Sequence, residues 1–374
     1  MSATTIDRLD QVDAGQWNAL STPWQPFTSF EFLAHLESTG CVAADTGWIP
    51  RHLVARDAAD RLRGAMPLYL KTHSWGEFVF DFAWAQAYAR AGLDYYPKLV
   101  SMTPFTPVTG RRLLSNGHDP AVDQALVAGL QQAVEDCNAS SAHVLYPPVA
   151  ELDTWAAAGF TIREDCRFMW HNHDYQTFDD FLAALRSAKR KEVRRERRRV
   201  AAQGIAVEMR RADSLDERTW QAVYAMLART FTLRGHTPYV SLRFLREIAD
   251  ALGPSMLVSL ASADDSAVGA AVFFRDQRSL YGRYWGSNED IDCLHFETCY
   301  YQGIDYCIRN GLRYFDPGTQ GEHKVRRGFA PIRTYSAHLV ADPRFAGPIA
   351  DWVADERNDV AHYIEVASGH LPYR

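Results

Sequence analysis

The 374 residues read as an α/β protein of the mixed, α+β kind, built in two domains, each a mixed central sheet with helices on its faces. Three observations lead there. The length exceeds what one hydrophobic core serves, because single cores stop growing near about 250 to 300 residues. The composition, 47% hydrophobic and 23% charged with 10 Trp, 17 Tyr and 19 Phe, excludes a disordered or collagen-like chain. Apolar runs of period two are interleaved with stretches of helical spacing along the whole length, and no short repeat appears.

The first half begins with a helix at "TSFEFLAHLESTG". Thr28 and Glu31 have capping-box spacing, Phe32, Leu33 and Leu36 share a face, and Gly40 suits the left-handed C-terminal position. "RHLVARD" and "LRGAMPLYLKTHS", on either side of the polar "AADR", predict a hairpin of two half-buried strands. In "EFVFDFAWAQAY" Phe78, Phe80, Phe82 and Trp84 recur at every second position. That spacing predicts a strand with four aromatics on one face, either a core stripe or an aromatic-walled groove. A helix over "DPAVDQALVAGLQQAVEDCNAS", the strand "AHVLYPP" ended by prolines, the helix-like "ELDTWAAAGF" and the strand "TIREDCRFMWHNHDY" follow.

The second half repeats this grammar with other residues. One long helix is expected at "FDDFLAALRSAKRKEVRRERRRVAAQG", then the strand "IAVEMRR" and the helices "DERTWQAVYAMLARTFTLRG" and "SLRFLREIADALG". The strand pair "SMLVSLASADDSAVGAAVFFRDQRSLYGRYWGS", the helix "CLHFETCYYQGIDYCIRNG", the strand "LRYFD", a polar loop and the strand "TYSAHLV" complete it. The boundary falls between Trp170 and Tyr175, giving domains 1–170 and 171–374.

A formal net charge of -6 argues against a surface that coats nucleic acid or anionic membrane as a whole. The six cysteines form no CxxC pair and read as free thiols in a reducing compartment. The start has no basic segment leading into an apolar one, and no apolar run approaches the roughly 18 residues of a membrane span. A cytoplasmic location is therefore expected.

Three stretches carry charge or chemistry. From Lys189 to Arg199, "KRKEVRRERRR" holds eight basic and two acidic residues, on a narrow apolar seam of Phe181, Leu185, Val193 and Val200. It is either a solvated helix with Glu192–Arg195 and Glu196–Arg199 pairs or a phosphate-contacting face. "CLHFETCYY" sets His295 and Glu297 in the first turn of a helix, where free N–H groups can hold an anion and either side chain can take a proton from an amine. In "DPGTQGEHKVRRGF", Gly318 and Gly321 permit left-handed angles that expose backbone donors, while Lys324, Arg326 and Arg327 add positive charge. The loop fits neither GxxxxGK[ST] nor GxGxxG. His171 and His173 form an HxH with no further ligand at metal spacing, so no metal is assigned. His118 and His143 read as surface or satisfied core residues.

The order of a basic helix, "LYGRYWGS", a helix leading to "GLRYFDPG", and a closing "KVRRGF" resembles the Fem-type branch of the GNAT acyltransferase superfamily. With "GAMPLYLKTHSWGEFVFDFAWAQAY", "YYPKLVSMTPFTPVTGRRLL" and "LHFETCYYQGI", residues 15 to 345 look like the N-acyltransferase family labelled peptidoglycan biosynthesis/recognition. The resemblance implies two tandem GNAT-like domains and attack of an acceptor amine on an activated acyl carbonyl. The acyl donor would be a co-substrate, aminoacyl-tRNA or acyl-CoA, with no tightly bound cofactor. The R/QxxGxG/A pyrophosphate loop of ordinary GNAT enzymes is not evident, which favours aminoacyl-tRNA. Lys324 matches the lysine of the closing motif and would contact the developing oxyanion or the donor's phosphate; Glu297, Glu322, His295 and His323 are the proton acceptors to choose among. Arg194, Arg195, Arg198, Gly318, Gly321, Arg326 and Arg327 would hold the donor. His73, Trp75, Glu77, Asp81, Trp84, Tyr95 and Lys98 would line an acceptor wall for a small-molecule or peptide amine. A noncatalytic RNA-binding protein on the same scaffold is the alternative of another class.

Overall fold

The computed structural model describes residues 1–374 apart from His118 and Gln320, so the expectation for His118 lies outside the described residues. The chain forms two compact units. One comprises Met1–Cys166 and Arg333–His362, the other Arg167–Ile332 and Tyr363–Arg374. A single cut at residue 170 does not describe this arrangement, because Arg333–His362 returns to the first unit.

In the first unit the strands Ala3–Ile6, His52–Arg56, Leu62–Met66 and Leu114–Ser115 make a four-stranded antiparallel sheet in that order. The helix Pro120–Asp136, capped by Asp119, turns Val122, Leu126, Leu130 and Val134 into a core with Leu53, Met66, Val144 and Trp155. A second run of strands pairs Ser141–Leu145 with Lys98–Ser101 in parallel, and Tyr69–Lys71 and Trp48–Pro50 extend it antiparallel. Pro67 explains why the expected strand "LRGAMPLYLKTHS" is two strands in two sheets: it lacks the N–H that a continuous ladder needs.

The expected aromatic strand does not form. Phe82–Arg90 is a helix, Phe78 has φ 61° and Phe80 is exposed, so the four aromatics share no face. Alanines at 83, 85, 87 and 89 favour helix, and the buried pair is Trp84 with Tyr88, four residues apart. The first expected helix is Phe30–Ser38, and its cap is Ser29, whose hydroxyl accepts from Phe32 N–H, in place of Thr28. Thr28 is engaged elsewhere, bonding Ser21 and accepting from Trp17 Nε1 on its carbonyl.

In the second unit Ala206–Arg211, Met256–Ala263, Ser266–Arg275 and Ser279–Ser287 form an antiparallel meander. Tyr314–Asp316 then pairs in parallel with Ser279–Tyr281 and antiparallel with Trp170–His171. Phe273, Leu280, Phe315, Tyr301, Ile304 and Phe329 fill the core beneath. The expected long basic helix is two, Phe178–Ala184 and Ser187–Ala202. Leu185 is drawn into an extended bridge with Tyr373, and Arg186 N–H donates to Pro372 O, a tertiary contact that overrides helical propensity. Glu192 pairs with Lys189 in place of Arg195, and Arg199 pairs with Asp292 in place of Glu196.

Candidate active site

Pairing between Ser279–Ser287 and Tyr314–Asp316 stops at Tyr281 opposite Asp316. Past that point the two segments part around a cavity of about 470 Å³, lined by Gly282, Arg283 and Trp285 on one side and Pro317, Gly318 and Thr319 on the other. A shift of register between Val272 and Phe273, where the neighbouring strand bulges, lies at the same place.

The helix "CLHFETCYYQGIDYCIRNG" is not regular: Glu297–Tyr301 is a π-turn between Leu294–Phe296 and Gln302–Arg309. The widened turn buries both Tyr300 and Tyr301, with different partners. Tyr300 lines the cavity and its hydroxyl is 2.8 Å from His323 Nε2, whereas Tyr301 donates to Glu196 and accepts from Arg327 Nε at 3.0 Å. The loop past Asp316 continues into a 3₁₀ helix, Glu322–Arg327. Gly318 and Gly321 have φ of 92° and 113°; a Cβ at 321 would meet the His323 ring at 2.2 Å, so only glycine fits there.

His295 and His323, with ring centres 6.0 Å apart, both line the cavity. Burial, with the charges of Lys324 and Arg327 nearby, holds His323 below the ordinary histidine value and His295 down to about 3, so both rings are neutral at pH 7. Lys324 is fully buried behind the loop. Its Nζ donates to Gly318 O at 2.8 Å and Thr319 O at 3.0 Å. Burial pulls its ammonium down to about 7, and Arg167 and Arg283 act in the same direction against the opposing charge of Asp316. Asp316 is held below the carboxylate range despite its burial, by Arg283 at 3.0 Å, Arg167 at 3.5 Å and the N–H of Gly318 at 2.8 Å.

Residues 8–374 match the model of the FemAB-like family, described as peptidoglycan biosynthesis/recognition. The chain belongs to the FemAB-like family. Among solved structures it is similar to FemX, at 13% identity and a TM-score of 0.52 over 94% of this chain and 100% of that one. It is also similar to L-PGS from Bacillus licheniformis, at 7% identity and 0.52 over 86% and 96%. A tandem GNAT protein from the clavulanic acid biosynthesis pathway aligns over 91% of this chain and 99% of that one, with 12% identity and a TM-score of 0.48. No curated protein matches. The fold is the expected mixed α/β one, and over nearly the whole chain it is like that of FemX.

In this FemAB-like chain the cavity gathers His295, His323, Gly318 and Gly321 and leaves out the two expected acidic proton acceptors. Glu297 is buried in an ion pair with Arg197, with N···O distances of 3.0 to 3.2 Å, and accepts from Gln302 Nε2. Glu322 is exposed, at 3.4 Å from the Tyr363 hydroxyl. Arg327, expected to hold the donor, is buried: it donates to Glu196 at 2.7 Å and His323 O at 3.0 Å and lies 3.4 Å from the centre of the Phe296 ring. It fixes the 3₁₀ helix to the basic helix. Arg194, Arg195, Arg198 and Arg326 are exposed, and Arg194 pairs with Asp179 at 2.9 Å. Tyr300, Arg283, Asp316 and Arg167 were missed. The last three are single charged residues within strand patterns, where sequence spacing gives no sign of convergence.

The acceptor-wall residues belong to the first unit and condense around Lys98. Its Nζ donates to Glu77 at 2.7 Å, Ser74 at 2.8 Å and Asp81. Tyr95 donates to Asp81 at 2.7 Å and meets His143 at 3.1 Å, and His143 Nδ1 is 2.6 Å from His338 Nδ1. Trp84 packs its ring at 4.9 Å from His338. His73 accepts from Trp75 N–H at 3.1 Å, and Trp75 is half exposed. Glu77, Asp81, Tyr95 and Lys98 are thus a closed polar core. His143 is the satisfied core residue of the two expected alternatives. Among the described residues no cluster of three or more His, Cys, Asp or Glu is placed to hold a metal, and no helix is long and apolar enough to cross a membrane.

Proposed function

We propose that this chain is an N-acyltransferase in which an acceptor amine attacks an activated acyl or aminoacyl ester inside the cavity of the second unit, with aminoacyl-tRNA as donor. The observation that carries this reading is the pair of neutral imidazoles, His295 and His323, on a cavity beside a glycine-bearing loop. The amine nitrogen bonds to the acyl carbon as the carbon–oxygen bond to the ribose breaks. His323, through its own ring or the bonded Tyr300, takes the proton the nitrogen loses and returns one to the leaving ribose oxygen. His295 donates to the carbonyl oxygen as charge develops there. Lys324 acts from behind: it holds the carbonyls of Gly318 and Thr319 and supplies positive potential.

The preference for a tRNA-borne donor is supported by Ser187–Ala202 in the same unit, where Arg194, Arg195 and Arg198 are solvent-facing. The test incubates the protein with charged tRNA, acyl-CoA and a panel of amines and follows transfer by mass spectrometry. Transfer from charged tRNA that falls sharply in Lys324→Ala and His323→Ala is expected. Transfer from acyl-CoA alone would replace the donor, and tRNA binding without transfer from any donor would favour a noncatalytic RNA-binding protein. Reversing Arg194, Arg195 and Arg198 to Glu should weaken tRNA binding and flatten its salt dependence; unchanged affinity would return that helix to a solvated face.

A further inference from the structure

The second unit has another concavity, which shares no lining residue with the cavity of His295 and His323. It is a groove of about 620 Å³ between the helices Phe178–Ala184, Ser187–Ala202 and Gln302–Arg309. Its floor is apolar: Leu182 and Ile308 line it at 2% and 6% exposure, together with the half-buried Phe178. Arg194, Arg197 and Arg198 of the basic helix and Arg309 of the third helix line it as well. A merely solvated helix face needs no concavity beside it, whereas a volume of this size is that of a small-molecule site.

The four arginines are held differently. Arg197 donates from Nε and Nη2 to Glu297, each at 3.0 Å, and Gln302 Nε2 donates to the same carboxylate at 2.9 Å. The guanidinium so fixed lies 4.4 Å from the centre of the Phe178 ring. A stacked pair of this kind on a groove wall suits a further planar ring, and a nucleobase is one. Arg194 pairs with Asp179 at 2.9 Å and Arg309 with Asp305 at 2.6 Å, but the arginine side chains are 51% and 74% exposed. Ion pairs so open to water contribute little, and a phosphate can replace either carboxylate. Arg198 is exposed and meets no carboxylate among the described residues. The helix that carries three of these arginines holds eight cations and two acids between Lys189 and Arg199, so the potential around the groove favours an anion. An acidic peptide would match that charge but leave the stack and the apolar floor unused.

We propose that this groove binds a nucleotide, with the base against Phe178 and Arg197 and the phosphate on Arg198 and one of its neighbours, Arg194 or Arg309. The nucleotide is a unit of an RNA strand or a free one; the groove offers the same chemistry to both. The site stands apart from acyl transfer, because none of its residues lines the reaction cavity.

The test titrates the full-length protein at constant ionic strength with a fluorescein-labelled single-stranded RNA octamer, followed by anisotropy, and with UMP, AMP and inorganic phosphate, followed by calorimetry. Stacking of a base on an aromatic ring is worth roughly a 5- to 100-fold change in affinity, so UMP, AMP or the octamer should bind at least about fivefold tighter than inorganic phosphate. Similar affinities for the octamer and a mononucleotide identify a free nucleotide as occupant; binding of the octamer alone identifies an RNA strand. Phe178→Leu, which keeps an apolar side chain and removes the ring, should weaken binding by about 5- to 100-fold with the salt dependence unchanged. Arg198→Gln, at an exposed position, should lower the slope of log affinity against log salt for the octamer by about 0.7, one phosphate contact on a single strand. Arg195→Gln, on the same helix but outside the groove, should change affinity less. Wild-type protein that binds neither nucleotide nor octamer tighter than inorganic phosphate would overturn the proposal. So would binding that Phe178→Leu leaves unchanged, which would mark a charged face alone, or an octamer slope that Arg198→Gln does not move. Nucleotide binding without acyl transfer from any donor would leave the groove standing and remove the reaction; transfer without nucleotide binding would do the reverse.

Discussion

Both units bury lysine among charged side chains, and Lys98 of the first and Lys324 of the second differ in the charges around them. Lys98 lies between Glu77 and Asp81 with all three of its protons engaged, and it titrates above the ordinary lysine value although burial opposes this. Lys324 lies beside two arginines and one aspartate, bonds only carbonyls, and is pulled down to about 7. The first cluster is closed upon itself. The second faces a 470 Å³ cavity. Burial of charge is thus common to the two clusters, the open volume is what sets them apart, and the contrast can be tested by substitution at Lys98 and Lys324.

The largest expected effect is on stability. Lys98→Met leaves two buried carboxylates without their cation and should cost about 3–5 kcal/mol, read as an early unfolding transition in urea. Lys324→Met removes a cation whose ionisation the fold opposes, so stability at pH 6 should be kept or raised while acyl transfer is lost. Equal destabilisation by both variants would break the contrast. His323→Ala is the corresponding prediction for the cavity: kcat should fall by about 10²–10⁴-fold, the usual contribution of a positioned acid–base group, with little change in stability.

The pH dependence sharpens the same comparison. His323 has a lowered pKa, so it must lose its proton to act, and kcat/KM should rise with pH on an acid limb below 6.5. Lys324 must keep its proton to supply charge, so kcat/KM should fall again above about 7. Lys324→Arg, which stays protonated, should remove the alkaline limb and leave the acid one. An alkaline limb that persists in that variant would assign it to another group.

The sequence revealed much of the scaffold because helix and strand periods survive wherever one face is buried. The helix Pro120–Asp136 was legible for that reason, while the stretch read as a strand pair after Gly253 is three strands, Met256–Ala263, Ser266–Arg275 and Ser279–Ser287. It misled where composition imitated a period, as with Phe78, Phe80 and Phe82, and where a distant contact decided local structure, as with Leu185 and Tyr373. The loop at 316–329 stood out by its glycines and charges, and the structure sets its Gly318, Gly321 and His323 on one cavity with His295. Its acids were not separable by sequence, since Glu297 is occupied by Arg197, a hundred residues away, and Glu322 by its exposure. The long helix Pro343–Gly369, which carries Pro348 inside it, was not anticipated.

The smallest expected effect concerns the balance within the closed cluster. Burial pushes Glu77 up to about 7 although Lys98 opposes it, while Asp81 beside it is held at about 2 by Lys98 and His143 against its own burial. A carboxyl whose folded value is raised contributes stability that is fully present below its unfolded value near 4.5 and is lost as pH rises through about 7. The folded protein should therefore lose stability between pH 5 and 7 by an amount on the order of 1–2 kcal/mol, given about 1.4 kcal/mol per unit and a proton shared across a coupled pair. Glu77→Gln cannot ionise, so in urea titrations at a series of pH values its stability should be flatter over this window than that of the wild type. A wild-type curve already flat there would mean that Glu77 is ionised at pH 5, with Lys98 and the neighbouring buried Lys71 together balancing both carboxylates.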